Sequence, residues 1–219
     1  MPADRILQGA VGQVRLVERD GRTLLEKRMP DARRHDTEVR ALQALQGSGL
    51  PVPELVSVEP GAILMTLLPG ERLDAGSAGE RLARLRASAP VLRRLHELPP
   101  PPGLAPAPDD ELIVRRYRAA GGPPVPLTIP PSQSPAFCHG DWTDGNVLAV
   151  GREITGFIDW EAAHVGDPLR ELSRAAWGAS RKDPRSFDAL VDAYGADREA
   201  GPPEYLEELT ADLEGWTQG

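Results

Sequence analysis

With a single cysteine, Cys138, among 219 residues, the chain cannot form an internal disulfide and must be held by packing. A reducing compartment, the cytoplasm, is the matching expectation. There is also no unbroken apolar run near the ~20 residues needed to span a bilayer, and the start, "MPADRILQGAVGQ", has no apolar core of signal-peptide length. Membrane insertion is not expected. An excess of basic charge is missing too: 33 acidic against 25 basic residues leave a net charge of −8. That balance repels nucleic-acid backbones and anionic lipid, and the arginines are spread along the chain rather than gathered. Nucleic acid and membrane are thus excluded as partners, while cationic small molecules suit an acidic surface. No group of histidines and cysteines has metal-ligand spacing.

What is present is enough for a core: 40% of residues are hydrophobic and 26% charged, the balance of a globular protein. After a brief apolar start at Ile6 and Leu7, Val14, Leu16 and Val17 precede "RDG" and Thr23 to Leu25 follow it. This is hairpin chemistry, with Lys27 at the end of a third strand. "DTEVRALQALQGSGL" predicts a helix capped by Asp36 or Thr37, with Val39, Leu42 and Leu45 inward and a stop at Gly47. "PVPELVSVEPGAILMTLLPGERL" predicts extended segments with turns at "EPG" and "LPG".

From Gly79 to Leu98 the leucines have helical spacing, and Pro90 predicts a break into two helices, because proline cannot donate an interior hydrogen bond. Residues 99–135 hold 12 of the 23 prolines, which predicts loop around a short helix at "DELIVRRYRAA". "PLRELSRAAW", "RSFDALVDAY" and "PEYLEELTADLEGW" predict three further helices.

The chemistry is concentrated in "FCHGDWTDGNVL", residues 137–148, and "ITGFIDWEAAHVGDP", residues 154–168. Between two apolar strands a tight loop must bring His139, Asp141, Asp144 and Asn146 together. Asp141 and Asn146 stand five apart, the spacing of a kinase catalytic loop, D-x-x-x-x-N, in which the aspartate accepts a hydroxyl proton and the asparagine ligates Mg²⁺. "LAVGREITGFIDW" predicts a hairpin that returns Asp159 alongside Asn146 as a second oxygen ligand. A hard cation takes few carboxylates and completes its shell with waters and phosphates.

These two stretches, "HGDWTDGN" and "FIDWEAAHVGDP", resemble the aminoglycoside phosphotransferase and choline kinase superfamily. The resemblance implies an α+β, protein-kinase-like two-lobed fold with an N-terminal antiparallel sheet carrying one helix and a mainly helical C-terminal lobe. It implies a nucleotide-binding lobe over residues 1–70, hinge included, and a catalytic lobe over residues 71–219. It further implies Asp141 as catalytic base, Asn146 and Asp159 as magnesium ligands and Asp167 as support for the loop. Lys27 takes the place of the phosphate-binding lysine, Glu38 that of its ion-pair partner, and backbone groups from Thr66 to Leu68 that of the adenine-binding hinge. "GAVGQV", with Gly9 and Gly12, stands in the place of a phosphate-covering loop.

The expectation is an ATP- and Mg²⁺-dependent kinase acting on a hydroxyl of a small, amine-bearing molecule. The acidic residues Glu161, Glu204, Glu207, Glu208, Asp212 and Glu214 are candidates for attracting the amine. The alternative is a nucleotide-binding module or pseudokinase that acts through a partner. His139 is expected to brace the loop, Cys138 to be a small buried residue, and Trp142 and Trp160 either to pack around the loop or to meet substrate.

Overall fold

The computed structural model describes residues 6–8, 13–107 and 135–195. The sequence begins as a meander: β1 (Ile6–Gln8), β2 (Gln13–Arg19) and β3 (Arg22–Arg28) pair in succession. The link between β2 and β3 is the two-residue turn Asp20-Gly21, at φ 51° and 74°, the left-handed backbone that an Asp-Gly hairpin turn requires. Strands β4 (Leu55–Glu59) and β5 (Ala62–Thr66) follow, and β5 inserts between β3 and β4. The result is a five-stranded antiparallel sheet in the order β1-β2-β3-β5-β4, in which Lys27 is opposite Ile63.

Helix α1 (Ala32–Leu45) crosses this sheet and buries His35, Glu38, Ala41, Leu42 and Leu45. It starts earlier than Asp36 or Thr37, because Asp31 is its cap: the Asp31 carboxylate accepts from the Arg33 and Arg34 backbone N–H groups at 2.9 and 3.2 Å. Asp36 and Thr37 therefore lie inside the helix. Gly47, at φ 76°, follows its end.

Pro90 does not break its segment into two helices. Helix α2 (Ala78–His96) is continuous through it. Pro90 and Arg86, whose carbonyl loses its i+4 donor, are both on the exposed side, so the missing bond falls where solvent replaces it. On the opposite side Leu85, Ala89, Leu92 and Leu95 are buried in one continuous row, and that row keeps the two halves in register. A capping box closes the start, with Ser77 N–H donating to Glu80 Oε2 at 2.8 Å and Glu80 N–H to Ser77 Oγ at 3.3 Å.

Strand β6 (Glu71–Arg72) pairs with β8 (Val147–Val150), which pairs with β9 (Glu153–Phe157). Strand β7 (Ala136–Cys138) pairs with β10 (His164–Gly166). Helices α3 (Pro168–Ser180) and α4 (Arg185–Tyr194) follow the expected patterns. Asp167 caps α3, accepting from Leu169 N–H at 2.8 Å, with Pro168 in its first turn. The "LPG" turn needs its glycine: a Cβ on Gly70 would lie 2.6 Å from Thr155 Oγ1 and 2.8 Å from the Ala149 carbonyl.

One apolar core runs from Leu42, Leu45 and Ile63 through Leu73 and Leu92 to Phe137, Phe157, Trp160, Leu172 and Leu190. It anchors the elements that carry the polar loop. Among the described residues no helix is long and apolar enough to cross a membrane. The expected helices over 110–120 and 203–216, with Glu204, Glu207, Glu208, Asp212 and Glu214, and the glycines Gly9 and Gly12 lie outside the described residues.

Candidate active site

Two groups of polar side chains meet where β3, α1, the β7–β8 loop and the segment after β9 converge. The first is centred on Lys27. Its Nζ donates to Glu38 Oε2 at 2.6 Å, contacts Asp159 Oδ1 and lies 3.3 Å from Glu161 Oε2. Only 10% of this side chain is exposed. Burial disfavours the ammonium, but the Glu38 and Asp159 carboxylates outweigh it and raise the pKa above the ordinary lysine value. The amine is therefore a fixed cation at any physiological pH.

Asp159 is reached through strained backbone. Its φ is 70°, an unusual value for a residue with a side chain and one that persists only where the surroundings impose it. Trp160, directly after it, is 1% exposed and donates from Nε1 to the Phe157 carbonyl at 3.0 Å. The buried indole thus locks the turn that directs the Asp159 carboxylate toward Lys27.

The second group is the β7–β8 loop. Asn146 Nδ2 donates to both the Asp141 carbonyl, at 2.9 Å, and Asp141 Oδ2, at 2.8 Å, so its own amide oxygen points to neither. The expected hairpin brings the two groups together: Val147 pairs with Phe157, and Ile158 N–H donates to the Asn146 carbonyl at 3.0 Å. Asp159 is the next residue. Asp141 and Asp159 keep 41% and 40% of their side chains exposed, in contrast to the buried groups that hold them.

His139 braces the loop, as expected. It is fully buried, with Nε2 on the Ile158 carbonyl at 3.0 Å and Nδ1 accepting from the Asp141 backbone N–H at 3.2 Å. Burial depresses its pKa, which keeps the ring neutral and Nδ1 able to accept. Trp142 and Trp160 pack around it, with ring centroids 5.9 and 4.4 Å away. Both indoles are buried, so of the two roles left open for them the structure supports packing. Gly140 admits no other residue: its φ is 83°, and a Cβ would sit 2.0 Å from the Ala162 carbonyl oxygen. Cys138 is a small buried residue whose thiol is pushed up in pKa by burial.

Several participants were not expected. Glu171, on α3, accepts from the backbone N–H of His139 at 2.9 Å (Oε2) and of Gly140 at 2.5 Å (Oε1). His96 Nε2 lies 2.9 Å from its Oε2. Burial opposes ionisation of Glu171, but these hydrogen bonds and the His96 ring prevail and hold its pKa down at about 2. Its sequence signal was an acid on an apolar helix face, beside Leu172 and Ala175. Asp144 is gripped by Arg81 Nε at 2.8 Å and by Lys182 Nζ at 3.2 Å, and Arg81 likewise stands on the buried side of α2.

Glu161 belongs to the Lys27 group, where Arg34 Nη1 also meets it at 2.8 Å; this corrects its placing with the carboxylates that would draw an amine. Thr66 ends β5, its N–H donating to the Glu54 carbonyl and its Oγ1 accepting from Glu54 N–H, both at 2.9 Å. Leu68 lies against β9 at Gly156. These two therefore line the connection out of the five-stranded sheet rather than the Lys27 group.

A buried ammonium flanked by acids, next to exposed carboxylates and an amide oxygen, suits a polyanion bound together with a hard cation. The comparisons with known proteins agree in fold. An aminoglycoside-3'-phosphotransferase of type VIII superposes with a TM-score of 0.73 at 21% identity, over 99% of this chain and 94% of that one. The aminoglycoside phosphotransferase APH(3'')-Id from Streptomyces rimosus, in complex with ADP and streptomycin, gives 0.65 at 20% identity, over 94% and 91%. The macrolide 2'-phosphotransferase MphH from Brachybacterium faecium gives 0.68 at 18% identity, over 96% and 82%. No curated protein matches the chain in sequence. The fold is therefore α+β and protein-kinase-like, as the sequence motifs implied. Residues 4–207 match the family model described as "Phosphotransferase enzyme family", and the chain belongs to that phosphotransferase family.

Proposed function

We propose that the protein is an ATP-dependent kinase that transfers the γ-phosphoryl group to a hydroxyl of a small acceptor. One observation carries the reading: Lys27, tied to Glu38 at 2.6 Å, contacts Asp159, and Asp159 directly follows the residue bonded to Asn146, whose amide grips Asp141 at 2.8 Å. A phosphate-binding cation, two oxygen ligands and a proton acceptor thus stand in one continuous row.

In this reading Lys27 binds the α- and β-phosphates, with Glu38 fixing its direction. Backbone groups from Thr66 to Leu68 meet adenine, and the chain divides into a nucleotide-binding part, residues 1–70, and a catalytic part, residues 71–219. Mg²⁺ fits the donor set, because Asn146 spends its N–H groups on Asp141 and keeps its oxygen, while Asp159 offers a half-exposed carboxylate. When bound, the ion neutralises phosphate charge. Asp141 orients the acceptor hydroxyl and takes its proton, and the Glu171 and His139 braces hold that carboxylate in place. The ADP and streptomycin in the Streptomyces rimosus structure support a nucleotide beside a small acceptor. An amine on that acceptor is supported by the net charge of −8.

The test is ATP consumption by the purified protein with Mg²⁺, across aminoglycosides, macrolides, amino alcohols, sugar amines and amino acids. Acceptor-stimulated turnover is expected. Nucleotide binding without turnover for any acceptor favours the binding-module alternative, and no nucleotide binding at all ends the kinase reading.

A further inference from the structure

Arg174, on α3, is the cation beside Asp141 among the described residues. Its Nη1 donates to the Gly140 carbonyl at 3.0 Å and its Nη2 lies 3.7 Å from Asp141 Oδ1. The side chain is 60% exposed, beside an Asp141 carboxylate that is itself 41% exposed.

The position of Arg174 relative to Asp141 decides what it can touch. Asn146 holds Oδ2 of Asp141, and the Asn146 carbonyl is bonded to Ile158, next to Asp159 and so to the Lys27 group. Arg174 approaches the other oxygen, Oδ1, from a helix that carries none of the Lys27 group. In the proposed reading the phosphates lie on the Asn146 side of the aspartate, so the acceptor falls to the arginine side.

The charge is not isolated. Arg170, Arg174 and Arg181 are spaced by four and seven residues along α3 and its cap, which puts them on one helix face. The Arg181 guanidinium stacks over Trp177 at 5.3 Å. Between Arg174 and Arg181 stands Gly178, where a Cβ would meet nothing within 4 Å. A glycine inside a helix costs about 1 kcal/mol relative to alanine, and among the described residues no neighbour's close approach demands it. Arg174 thus stands among other arginines of its own helix face, in a chain whose net charge is −8.

We propose that Arg174 selects the acceptor: the molecule phosphorylated carries a carboxylate or phosphate close to its reacting hydroxyl, and Arg174 binds that anion. The inference rests on Asp141 being the base, and it adds a group to the acceptor without excluding an amine elsewhere on it. A guanidinium offers a fixed fork that matches either anion bidentately. A purely cationic acceptor would meet repulsion at this point.

The experiment compares matched pairs with and without the anion: serine against ethanolamine, glycerate and glycerol 3-phosphate against glycerol, and glucose 6-phosphate against glucose. MgATP binding is measured first by calorimetry. At least one anionic member is expected to exceed its partner tenfold or more in kcat/KM, its carboxylate or phosphate identifying the source. Arg174→Gln is expected to raise the KM of that acceptor at least tenfold with the KM of MgATP unchanged, and Arg174→Lys to restore part of the loss.

Preference for the uncharged or cationic partners overturns the inference, as does an acceptor KM that Arg174→Gln leaves unmoved. In the second case Arg174 is only a brace on the Gly140 carbonyl. MgATP binding with no transfer to any anionic compound also overturns it. Failure to bind MgATP sinks the kinase reading first and this one with it.

Discussion

Lys27 on β3 and Glu38 on α1 meet at 2.6 Å, Nζ to Oε2, and both side chains are nearly buried, 10% and 2% exposed. The pair ties the sheet to its one crossing helix, and it leaves the ammonium facing Asp159 and Glu161. Replacing Lys27 with methionine strands three carboxylates within reach of one another. Breaking a buried pair costs about 3–5 kcal/mol. Lys27→Met is expected to destabilise the protein by a few kcal/mol at neutral pH and to recover part of the loss on acidification, as Glu38, whose pKa burial raises, takes up a proton. Urea titrations at two pH values check this.

Asp141→Ala is expected to lower turnover by about 10²- to 10⁴-fold, the range for loss of a positioned base, with MgATP binding retained. Asp159→Ala is expected to weaken MgATP binding as well, since in the proposed reading it is a metal ligand. Steady-state kinetics alongside calorimetry separates the two. An Asp141→Ala protein with full turnover would remove the base assignment.

Glu171 carries a pH signature. Its folded-state pKa of about 2 lies below the ordinary glutamate value, so its ionised form is favoured in the folded protein. The stability it contributes is fully present above the unfolded pKa of about 4.3 and disappears as pH falls toward 2, to a total on the order of 3 kcal/mol. Glu171→Gln is expected to be less stable at pH 7 and to lose less stability than the wild type between pH 5 and pH 2. Thermal melts across that interval read both effects.

Gly140→Ala puts a Cβ 2.0 Å from the Ala162 carbonyl oxygen at a φ of 83°. The backbone must move, and it is the backbone next to Asp141. A loss of more than about 2 kcal/mol in stability and loss of transfer are expected together. An active Gly140→Ala protein of normal stability would show that the loop relaxes freely.

Arg81 and Asp144, 8% and 7% exposed, form a second buried pair at 2.8 Å, and Arg81 also donates to Ser186 Oγ and the Ala179 carbonyl at 3.0 and 2.9 Å. Arg81→Met is expected to cost about 3 kcal/mol or more. In a double-mutant cycle with Asp144→Asn the two effects should fall short of additivity by at least about 0.5 kcal/mol.

Much of the site was legible because its parts are close in the chain. Asp141 and Asn146 are five residues apart in a loop between two strands, so local geometry alone brings them together. Asp159 follows from the β8–β9 hairpin, and Asp167 from the preference of aspartate and proline for a helix start. The limits of α1 and the continuity of α2 were misjudged for opposite reasons. Asp31 competes with Asp36 and Thr37 as a cap, and only the backbone decides among equal candidates. Pro90 carries a local penalty that a buried row of Leu85, Ala89, Leu92 and Leu95 overrides, and that row exists only once the core is assembled.

The residue types and short-range spacing were enough to pair Asp141 with Asn146, to place the hairpins and to point to the family, because hydrogen bonding and turn geometry act over a few residues. Tertiary packing decided which charges meet. Lys27 and Asp159 are 132 residues apart, Glu161 turned to Lys27 and Arg34, Glu171 reached back to the loop before Asp141, and Arg174 took the other side of that aspartate. An acid or arginine in the chain specifies only a charge. Its partner is chosen when burial strips away water and leaves each ion with the nearest opposite charge, which depends on how the helices and sheet are stacked.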